Sequence, residues 1–286
     1  MTEKFTFSGS IGVFDSGVGG LSVWREIARQ LPREDILYVA DQAHVPYGYR
    51  SMDEIKSFCE GIVAFLLERG AKIVVIACNA ASAAALHHLR DLYPNNDFVG
   101  MEPAVKPAVK NTRTGVVGVL ATQTTFQGKL FESLIAEHGN NTKVVTCVGH
   151  GLVENVEAGK LDTLETEILL KTCITPLLAA GADQLVLGCT HYPFLMPVMR
   201  KLAGPEVSII DPSSAVASQT ARVMNRRQLM TASGHKGRYA FLTSGHPVAF
   251  REGLHRLIPS FADRFQTGLI QWQSDCSIRD VEYLPD

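Results

Sequence analysis

The sequence predicts an α/β fold: two similar Rossmann-like parallel-sheet domains with the active site in the cleft between them. Three observations predict this fold. Short β-rich runs alternate with longer helical segments along the 286 residues. The β-rich runs are apolar almost throughout, as in strands that are covered on both faces of a parallel sheet. A strand that ends in a small polar turn, followed later by a strand that ends in cysteine, occurs twice.

The predicted elements follow one another in a regular order. Strands are predicted within residues 11–17, 35–41, 71–78, 97–101, 114–122, 142–148, 182–189 and 207–211. Helical segments lie between them, and two of these end at Gly70 and Gly181, which suit the left-handed position after a helix. Asp211 before Pro212 predicts a helix N-cap, and a helix, a strand and a helix are predicted after it. This alternation favours parallel α/β units.

The internal repeat predicts the domain organisation. The distance along the chain from Asp15 to Cys78 is similar to that from Thr122 to Cys189, and each residue ends a predicted strand. We expect a discontinuous first domain of residues 1–101 plus 212–286, and a second domain of residues 102–211. Two unrelated Rossmann-like domains with chance spacing are the alternative.

Composition and charge argue against several classes of protein. The net charge of −2 comes from 27 basic and 29 acidic residues without a basic block, which gives no electrostatic case for nucleic acid or an anionic membrane. No apolar run approaches the roughly 18 residues of a membrane span, and the first ten residues lack the apolar core of a secretory signal. Six cysteines without a C-x-x-C pattern predict reduced thiols in a cytoplasmic protein and no metal site.

Polar residues at strand ends form the predicted site, because ligands of open α/β sheets bind outside the carboxyl ends of the strands. None of these residues is Lys or Arg, so the pocket would hold an anion through backbone N–H groups, hydroxyls and helix N-termini. The turn DSGVGGLS at 15–22 is neither a dinucleotide fingerprint nor a Walker A loop, so nucleotide binding is not supported. The strand-end residues are Asp15, Ser16, Cys78, Asn79, Thr122, Thr125, Cys189, Thr190 and His191.

Two of the six cysteines stand out. Cys78 and Cys189 each end a strand and precede polar residues and a helix start, a position that lowers a thiol pKa from about 8.5. Two thiols on opposite faces of a substrate carbon remove a proton from one face and return one to the other, which inverts the stereocentre. The other four are interpreted as small apolar side chains; they are Cys59, Cys147, Cys173 and Cys276.

Five motifs carry a family resemblance: GVFDSGVGG (12–20), ADQAHVPYG (40–48), ACNAAS (77–82), GLVE (151–154) and GCTHYP (188–193). With these motifs in this order, the chain resembles the glutamate racemases, enzymes without a cofactor that supply D-glutamate for peptidoglycan. The resemblance implies L- and D-glutamate as small-molecule substrates, no cofactor, and a cytoplasmic location. Family members are often dimers, so a homodimer is one expected state.

The resemblance also implies roles for individual residues. Cys78 resembles the base that acts on the D-enantiomer and Cys189 the base that acts on the L-enantiomer. Asp15 would assist Cys78, whereas His191 and Glu154 would assist Cys189. The implied substrate contacts are Asp15, Ser16, Tyr47, Gly48, Asn79, Ala80, Thr122, Thr125 and Thr190.

One position departs from the family pattern. The family usually has threonine after Cys-Asn, whereas this chain has Ala80. Loss of that hydroxyl predicts weaker substrate binding, or compensation nearby.

Two other functions remain open at this stage. One is a racemase or epimerase of the same superfamily that acts on aspartate or a hydantoin; the THYP sequence argues against it. The other is a non-catalytic two-domain protein that binds small anions, which gives no reason for two thiols at strand ends.

Overall fold

The structure, a computed structural model, describes residues 7–138 and 142–283. The strands are β1 (Ile11–Asp15), β2 (Ile36–Ala40), β3 (Ile73–Ile76), β4 (Phe98–Val99), β5 (Val116–Ala121), β6 (Lys143–Val148), β7 (Gln184–Gly188), β8 (Ser208–Ile210), β9 (Tyr239–Thr243), β10 (Phe265–Trp272) and β11 (Ile278–Tyr283). The helices are α1 (Leu21–Gln30), α2 (Met52–Glu68), α3 (Asn79–Leu92), α4 (Val105–Asn111), α5 (Gln123–Gln127), α6 (Lys129–His138), α7 (Leu152–Glu157), α8 (Leu164–Ala179), α9 (Met196–Ala203), α10 (Ser213–Arg227) and α11 (Pro247–Leu257).

These strands form two separate sheets, and the predicted α/β class is confirmed. The first sheet has seven strands in the order β11-β10-β9-β2-β1-β3-β4, and the second has four in the order β6-β5-β7-β8. The pairs within the second sheet are all parallel, as are those of the first sheet from β10 to β4. Every residue of β1, β2 and β3 is buried, which explains their continuous apolar sequence.

One edge of the first sheet differs from the prediction. Strands β10 and β11 form an antiparallel pair there, whereas the sequence predicted only parallel strands and no strand after residue 257. The segment FQTGLIQW mixes polar and apolar residues because β10, which lies next to the edge strand β11, is only partly buried. It therefore lacks the continuous apolar run that identified the other strands.

Helix ends follow local sequence signals. Ser51 and Glu54 form a reciprocal capping box at the start of α2. Gly70 and Gly181 adopt φ values of +79° and +95° after α2 and α8, as their positions predicted. Helix α10 begins one residue later than the predicted cap implies, although the Asp211 carboxylate still accepts the N–H of Ser213 at 2.9 Å.

The two sheets take their strands from different parts of the chain. The first sheet uses residues 11–99 and 239–283, and the second uses residues 116–210. The predicted domain boundaries fit this division and stay a prediction. Within residues 7–138 and 142–283, no helix combines the length and apolarity that a membrane crossing requires.

Candidate active site

A small pocket lies where the carboxyl ends of strands from both sheets meet. Its walls come from the turns after β1, β3, β5 and β7, and from the short 3-10 helix Tyr47–Tyr49 and α7. The structure thus brings together residues that are distant in sequence. The lining residues are Ser16, Tyr47, Gly48, Cys78, Asn79, Ala80, Thr122, Thr125, Val153, Cys189, Thr190 and His191.

Cys78 occupies the N-cap position of α3. Its Sγ accepts a hydrogen bond from the N–H of Ala81 at 3.5 Å, and the side chain is buried. Burial, with a smaller contribution from the charge of Asp15, raises the pKa of Cys78 well above its ordinary value. The sequence predicted a lowered pKa at this helix start. That prediction is wrong, because the cost of burying a thiolate exceeds the stabilisation from the helix N-terminus.

Cys189 follows β7 in a different local structure. The helix predicted after the polar residues begins as the 3-10 helix Tyr192–Leu195, and α9 follows it. Its Sγ lies 3.8 Å from Nδ1 of His191. The group beside this thiol is thus an imidazole.

His191 is held between a thiol and a carboxylate. Its Nε2 lies 2.7 Å from Oε1 of Glu157, on the opposite side of the ring from Cys189. Burial acts to lower the pKa of His191, but the hydrogen bonds with Cys189 and Glu157 outweigh it and raise this pKa well above its ordinary value. An imidazolium in this position places a positive charge 3.8 Å from the sulfur of Cys189.

Glu154, which the resemblance implied as the partner of Cys189, lies elsewhere. It is exposed on α7 and makes a side-chain hydrogen bond with Tyr49. Glu157 contacts His191 instead, because residues four apart share one face of a helix and Val153 of the same face lines the pocket. Glu154 and Glu157 are three residues apart on α7, so their spacing in the sequence does not tell which of them faces His191.

Asp15 lies behind the pocket wall rather than in it. Its side chain is fully buried, with Oδ2 accepting the N–H of Gly17 at 2.9 Å and Oδ1 accepting the hydroxyl of Thr190 at 3.0 Å. Burial raises the pKa of Asp15. The protonation state of Asp15 therefore affects the electrostatic potential at Cys78 and at the turn that carries Cys189.

The predicted substrate contacts line the pocket, apart from Asp15. Asn79 is the most informative of them, because its amide N and O are buried without a hydrogen-bond partner among the residues that the structure describes. Buried polar atoms in proteins are nearly always paired, so this amide is arranged for a group that enters the pocket. Thr122 and Thr125, from the turn after β5, bring two hydroxyls to the pocket that lie 2.9 Å apart.

The pocket has an unusual charge pattern for an anion site. Among the lining residues of the described chain none is Lys or Arg. Apart from His191, the donors that can bind an anion are neutral: hydroxyls, the Asn79 amide and backbone N–H groups. The described residues also hold no group of three or more His, Cys, Asp or Glu side chains that is arranged for a metal ion.

The chain is similar to known proteins in sequence and in structure. The family model "Asp/Glu/Hydantoin racemase" matches residues 11–220. A glutamate racemase of Roseiflexus is 49% identical over 248 residues, which cover 86% of this chain and 91% of that protein. A glutamate racemase isoform of Bacillus anthracis superposes with a TM-score of 0.83 at 33% identity and covers 95% and 99% of the two chains. Escherichia coli glutamate racemase, in complex with L-glutamate and the activator UDP-MurNAc-ala, has a TM-score of 0.78 at 30% identity over 96% of this chain and 100% of that one.

Proposed function

Since this chain belongs to the Asp/Glu/Hydantoin racemase family and is a racemase, we propose that Cys78 and Cys189 interconvert L- and D-glutamate by a two-base proton transfer without a cofactor. One observation carries the proposal: a thiol from the first sheet and a thiol from the second line the same pocket. Two bases on opposite sides of a carbon are what an inversion by proton transfer requires.

The different surroundings of the two thiols support this mechanism. Burial and Asp15 raise the pKa of Cys78, so this thiol holds a proton that it can donate. At Cys189 the neighbouring group is instead His191, whose raised pKa places a positive charge 3.8 Å from the sulfur of the second base. In this state Cys189 removes the α-proton and Cys78 returns one to the other face. The family resemblance gives L-glutamate as the substrate of this direction; D-glutamate reacts when the two protonation states are exchanged.

The pocket must also stabilise the carbanion that forms between the two transfers. An α-proton of an amino acid is far less acidic than a thiol, so donors have to face the substrate carboxylate, where negative charge develops. The unpartnered amide of Asn79 and the hydroxyl of Ser16 are such donors. Because the pocket is small and its thiols are buried, water does not screen these interactions.

Glutamate is the proposed substrate because curated relatives named glutamate racemase match at 49% identity over most of the chain. We further propose that the D-glutamate serves peptidoglycan synthesis, on the strength of the family resemblance. The test below must also distinguish glutamate from aspartate and from a hydantoin as the substrate.

The test uses purified protein in heavy water with L- or D-glutamate. Optical activity is followed by circular dichroism and loss of the α-proton by NMR, for wild type and for Cys78→Ser and Cys189→Ser. The proposal expects racemisation with α-proton exchange in wild type and a loss of turnover by at least about 10²-fold in either variant. The buried Cys59 lies outside the pocket, so Cys59→Ser is the matched control and should keep its turnover.

Two results would contradict the proposal. If the α-proton exchanges in aspartate or a hydantoin but not in glutamate, the protein is a racemase of the same superfamily with a different substrate. Unchanged turnover in one serine variant rules out that cysteine as a base.

A further inference from the structure

The carboxylate of Glu157 is held by groups from the first sheet. Its Oε1 accepts the N–H of Val18 at 2.7 Å in addition to contacting His191, and its Oε2 accepts the side-chain amide of Gln42 at 2.7 Å. Gln42 follows β2 in the first sheet, whereas Glu157 ends α7, which follows the second sheet's β6. The orientation of His191 therefore depends on a hydrogen bond between the two halves of the molecule.

The amide of Gln42 is itself fixed in one orientation. Its Oε1 accepts the hydroxyl of Thr243, the last residue of β9, at 2.8 Å. The Thr243 oxygen accepts the N–H of Gly245 at 2.9 Å, which leaves the hydroxyl proton for Gln42. Because the amide oxygen faces Thr243, the NH₂ group faces Glu157 and donates to it.

The packing around Glu157 leaves the carboxylate little freedom. A Cβ on Gly17 would overlap this carboxylate, so the turn after β1 lies directly against it. The Glu157 side chain is only 14% exposed. Charge-assisted hydrogen bonds in such a partly buried place are stronger and more directional than neutral ones in water.

We propose that Gln42 and Thr243 are positioning residues for the Cys189 side of the reaction. They act through a relay of hydrogen bonds from Thr243 to Gln42, Glu157, His191 and Cys189. Neither residue lines the pocket, so neither is a catalytic residue. The inference rests on the proposed function, since it assigns the relay to one of the two proton transfers.

The relay has a kinetic signature that a general loss of structure lacks. Because L- and D-glutamate have equal free energies in water, kcat/KM is equal in the two directions for every variant, and a weakened relay lowers both equally. Primary deuterium isotope effects at the α-carbon, in contrast, change in opposite directions for the two enantiomers. When the transfer at Cys189 becomes slower, the isotope effect rises for the enantiomer that Cys189 deprotonates. It falls for the enantiomer that Cys78 deprotonates.

The experiment compares wild type with Gln42→Met, Thr243→Val and Thr243→Ser. Methionine keeps the length of Gln42 without its amide, valine keeps the shape of Thr243 without its hydroxyl, and serine keeps the hydroxyl. Thr267 is a comparably buried threonine on β10 of the same sheet, so Thr267→Val is the structural control. We expect kcat/KM to fall roughly 10- to 100-fold in Gln42→Met and Thr243→Val. The two isotope effects move in opposite directions, while Thr243→Ser and Thr267→Val stay near wild type.

A second measurement needs no substrate. The Nε2–H proton of His191 is followed by NMR; it should exchange with water faster in Gln42→Met and Thr243→Val, and at the wild-type rate in Thr243→Ser. An unchanged exchange rate, or isotope effects that change together, would overturn the positioning role. A wild type that fails to racemise glutamate contradicts the proposed function instead, and the NMR result still decides the relay.

A different observation concerns Cys147 in β6 and Cys173 in α8. Both sulfurs lie beside the carbonyl oxygen of Val148, at 3.7 and 3.6 Å, and they are close enough for one thiol to donate a hydrogen bond to the other. Cys147 is partly exposed, whereas Cys173 is buried. The sequence interpretation of both as plain apolar side chains did not foresee that they form a pair.

We infer that this pair is a modification site for low-molecular-weight disulfides. The Cys147 thiolate attacks one sulfur of the disulfide RSSR, which forms Cys147–S–SR and releases RS⁻. Cys173 then gives up its proton, and its sulfur displaces the second RS⁻ from Cys147. The products are an internal disulfide, oxidised by two electrons, and two RSH molecules that carry those electrons.

The roles of the two cysteines follow from their surroundings. The hydrogen bond with Cys173 lowers the pKa of Cys147 to about 7, so this partly exposed thiol is partly ionised near neutral pH. The same hydrogen bond, with burial, raises the pKa of Cys173. An exposed nucleophilic thiol beside a resolving partner is the arrangement of redox-active cysteine pairs.

The test incubates the native protein with glutathione disulfide and maps its thiols by mass spectrometry. Wild type should acquire a Cys147–Cys173 disulfide, Cys173→Ser should accumulate glutathione on Cys147, and Cys147→Ser should acquire neither. Cys276 is exposed and has no such partner thiol in the described chain, so Cys276→Ser is the control and should still form the internal disulfide. A wild type that stops at the mixed disulfide, or leaves Cys147 unmodified, would overturn this inference.

Discussion

The hydroxyl of Thr190 donates a hydrogen bond of 3.0 Å to the Asp15 carboxylate, and this bond joins the turn after β7 in the second sheet to the end of β1 in the first. Thr190 is the neighbour of Cys189 in the chain, while Asp15 acts electrostatically on Cys78. The surroundings of the two thiols are therefore coupled through one short contact. A substitution at Asp15 is expected to affect both.

Asp15→Asn should remove a pH-dependent loss of stability. Burial raises the pKa of Asp15 above its value of 3.8 in the unfolded chain, so the native state holds this proton over a pH range where the unfolded state has lost it. Stability therefore falls as pH rises through that range. The difference in unfolding free energy between the Asp15→Asn variant and wild type, measured in urea from pH 4 upward, should grow with pH. The exposed Asp91→Asn is the control; a constant difference would contradict the prediction.

Glu157→Gln and Glu154→Gln separate two acidic residues of one helix. Glu157 contacts His191, so its neutral replacement should lower the His191 pKa and reduce turnover by about 10²-fold. Glu154 is exposed, and its replacement should change turnover by less than about twofold. Racemisation rates and the NMR titration of His191 measure both effects. Equal losses of turnover in the two variants would show that the contact with His191 does not account for the loss in Glu157→Gln.

Gly19→Ala tests how closely the turn after β1 approaches the site. A Cβ at Gly19 would overlap the His191 imidazole, so His191 must shift, and turnover should fall by about 10²-fold. Gly253 in α11 is the matched glycine, because a Cβ there would lie 3.5 Å from Val18, at ordinary van der Waals distance. Gly253→Ala should keep turnover and stabilise the fold by up to about 1 kcal/mol. Thermal unfolding and racemisation assays test both variants.

Ala80→Thr should restore a hydrogen bond that the family usually makes. Ala80 lines the pocket beside the unpartnered Asn79 amide, so a hydroxyl at this position would reach an entering carboxylate. We expect KM for glutamate to fall by about tenfold. Ala80→Val adds the same bulk without the hydroxyl and should not lower KM. A KM that is the same for Ala80→Thr and wild type would show that the hydroxyl is already replaced by another donor.

The sequence predicted most of the fold because its main signals are local. Continuous apolar runs identified β1, β2, β3, β5 and β7, and the glycines after α2 and α8 marked helix ends. The polar residues at the ends of these strands were expected to share one pocket, since parallel strands end at the same edge of a sheet, and all of them except Asp15 line it.

The remaining features depend on contacts that are distant in sequence. Which of Glu154 and Glu157 faces His191 depends on how α7 is rotated about its axis. The motif GLVE does not show this rotation. The raised pKa of Cys78 reflects how completely the tertiary structure covers the thiol. The hydrogen bond from Gln42 joins residues 115 positions apart and has no sequence signal.

The order of strands in the first sheet has a consequence for synthesis on the ribosome. Its central strands β1, β2 and β3 are made early, but β9, which pairs with β2, is made only after the whole second sheet. Until then β2, with the sequence ILYVA, presents an unpaired apolar edge that another nascent chain can join. The contiguous second sheet has no such delay. A ribosome that stalls before residue 239 therefore leaves a chain prone to aggregation, and protection of the β2 edge by chaperones is most needed during that interval.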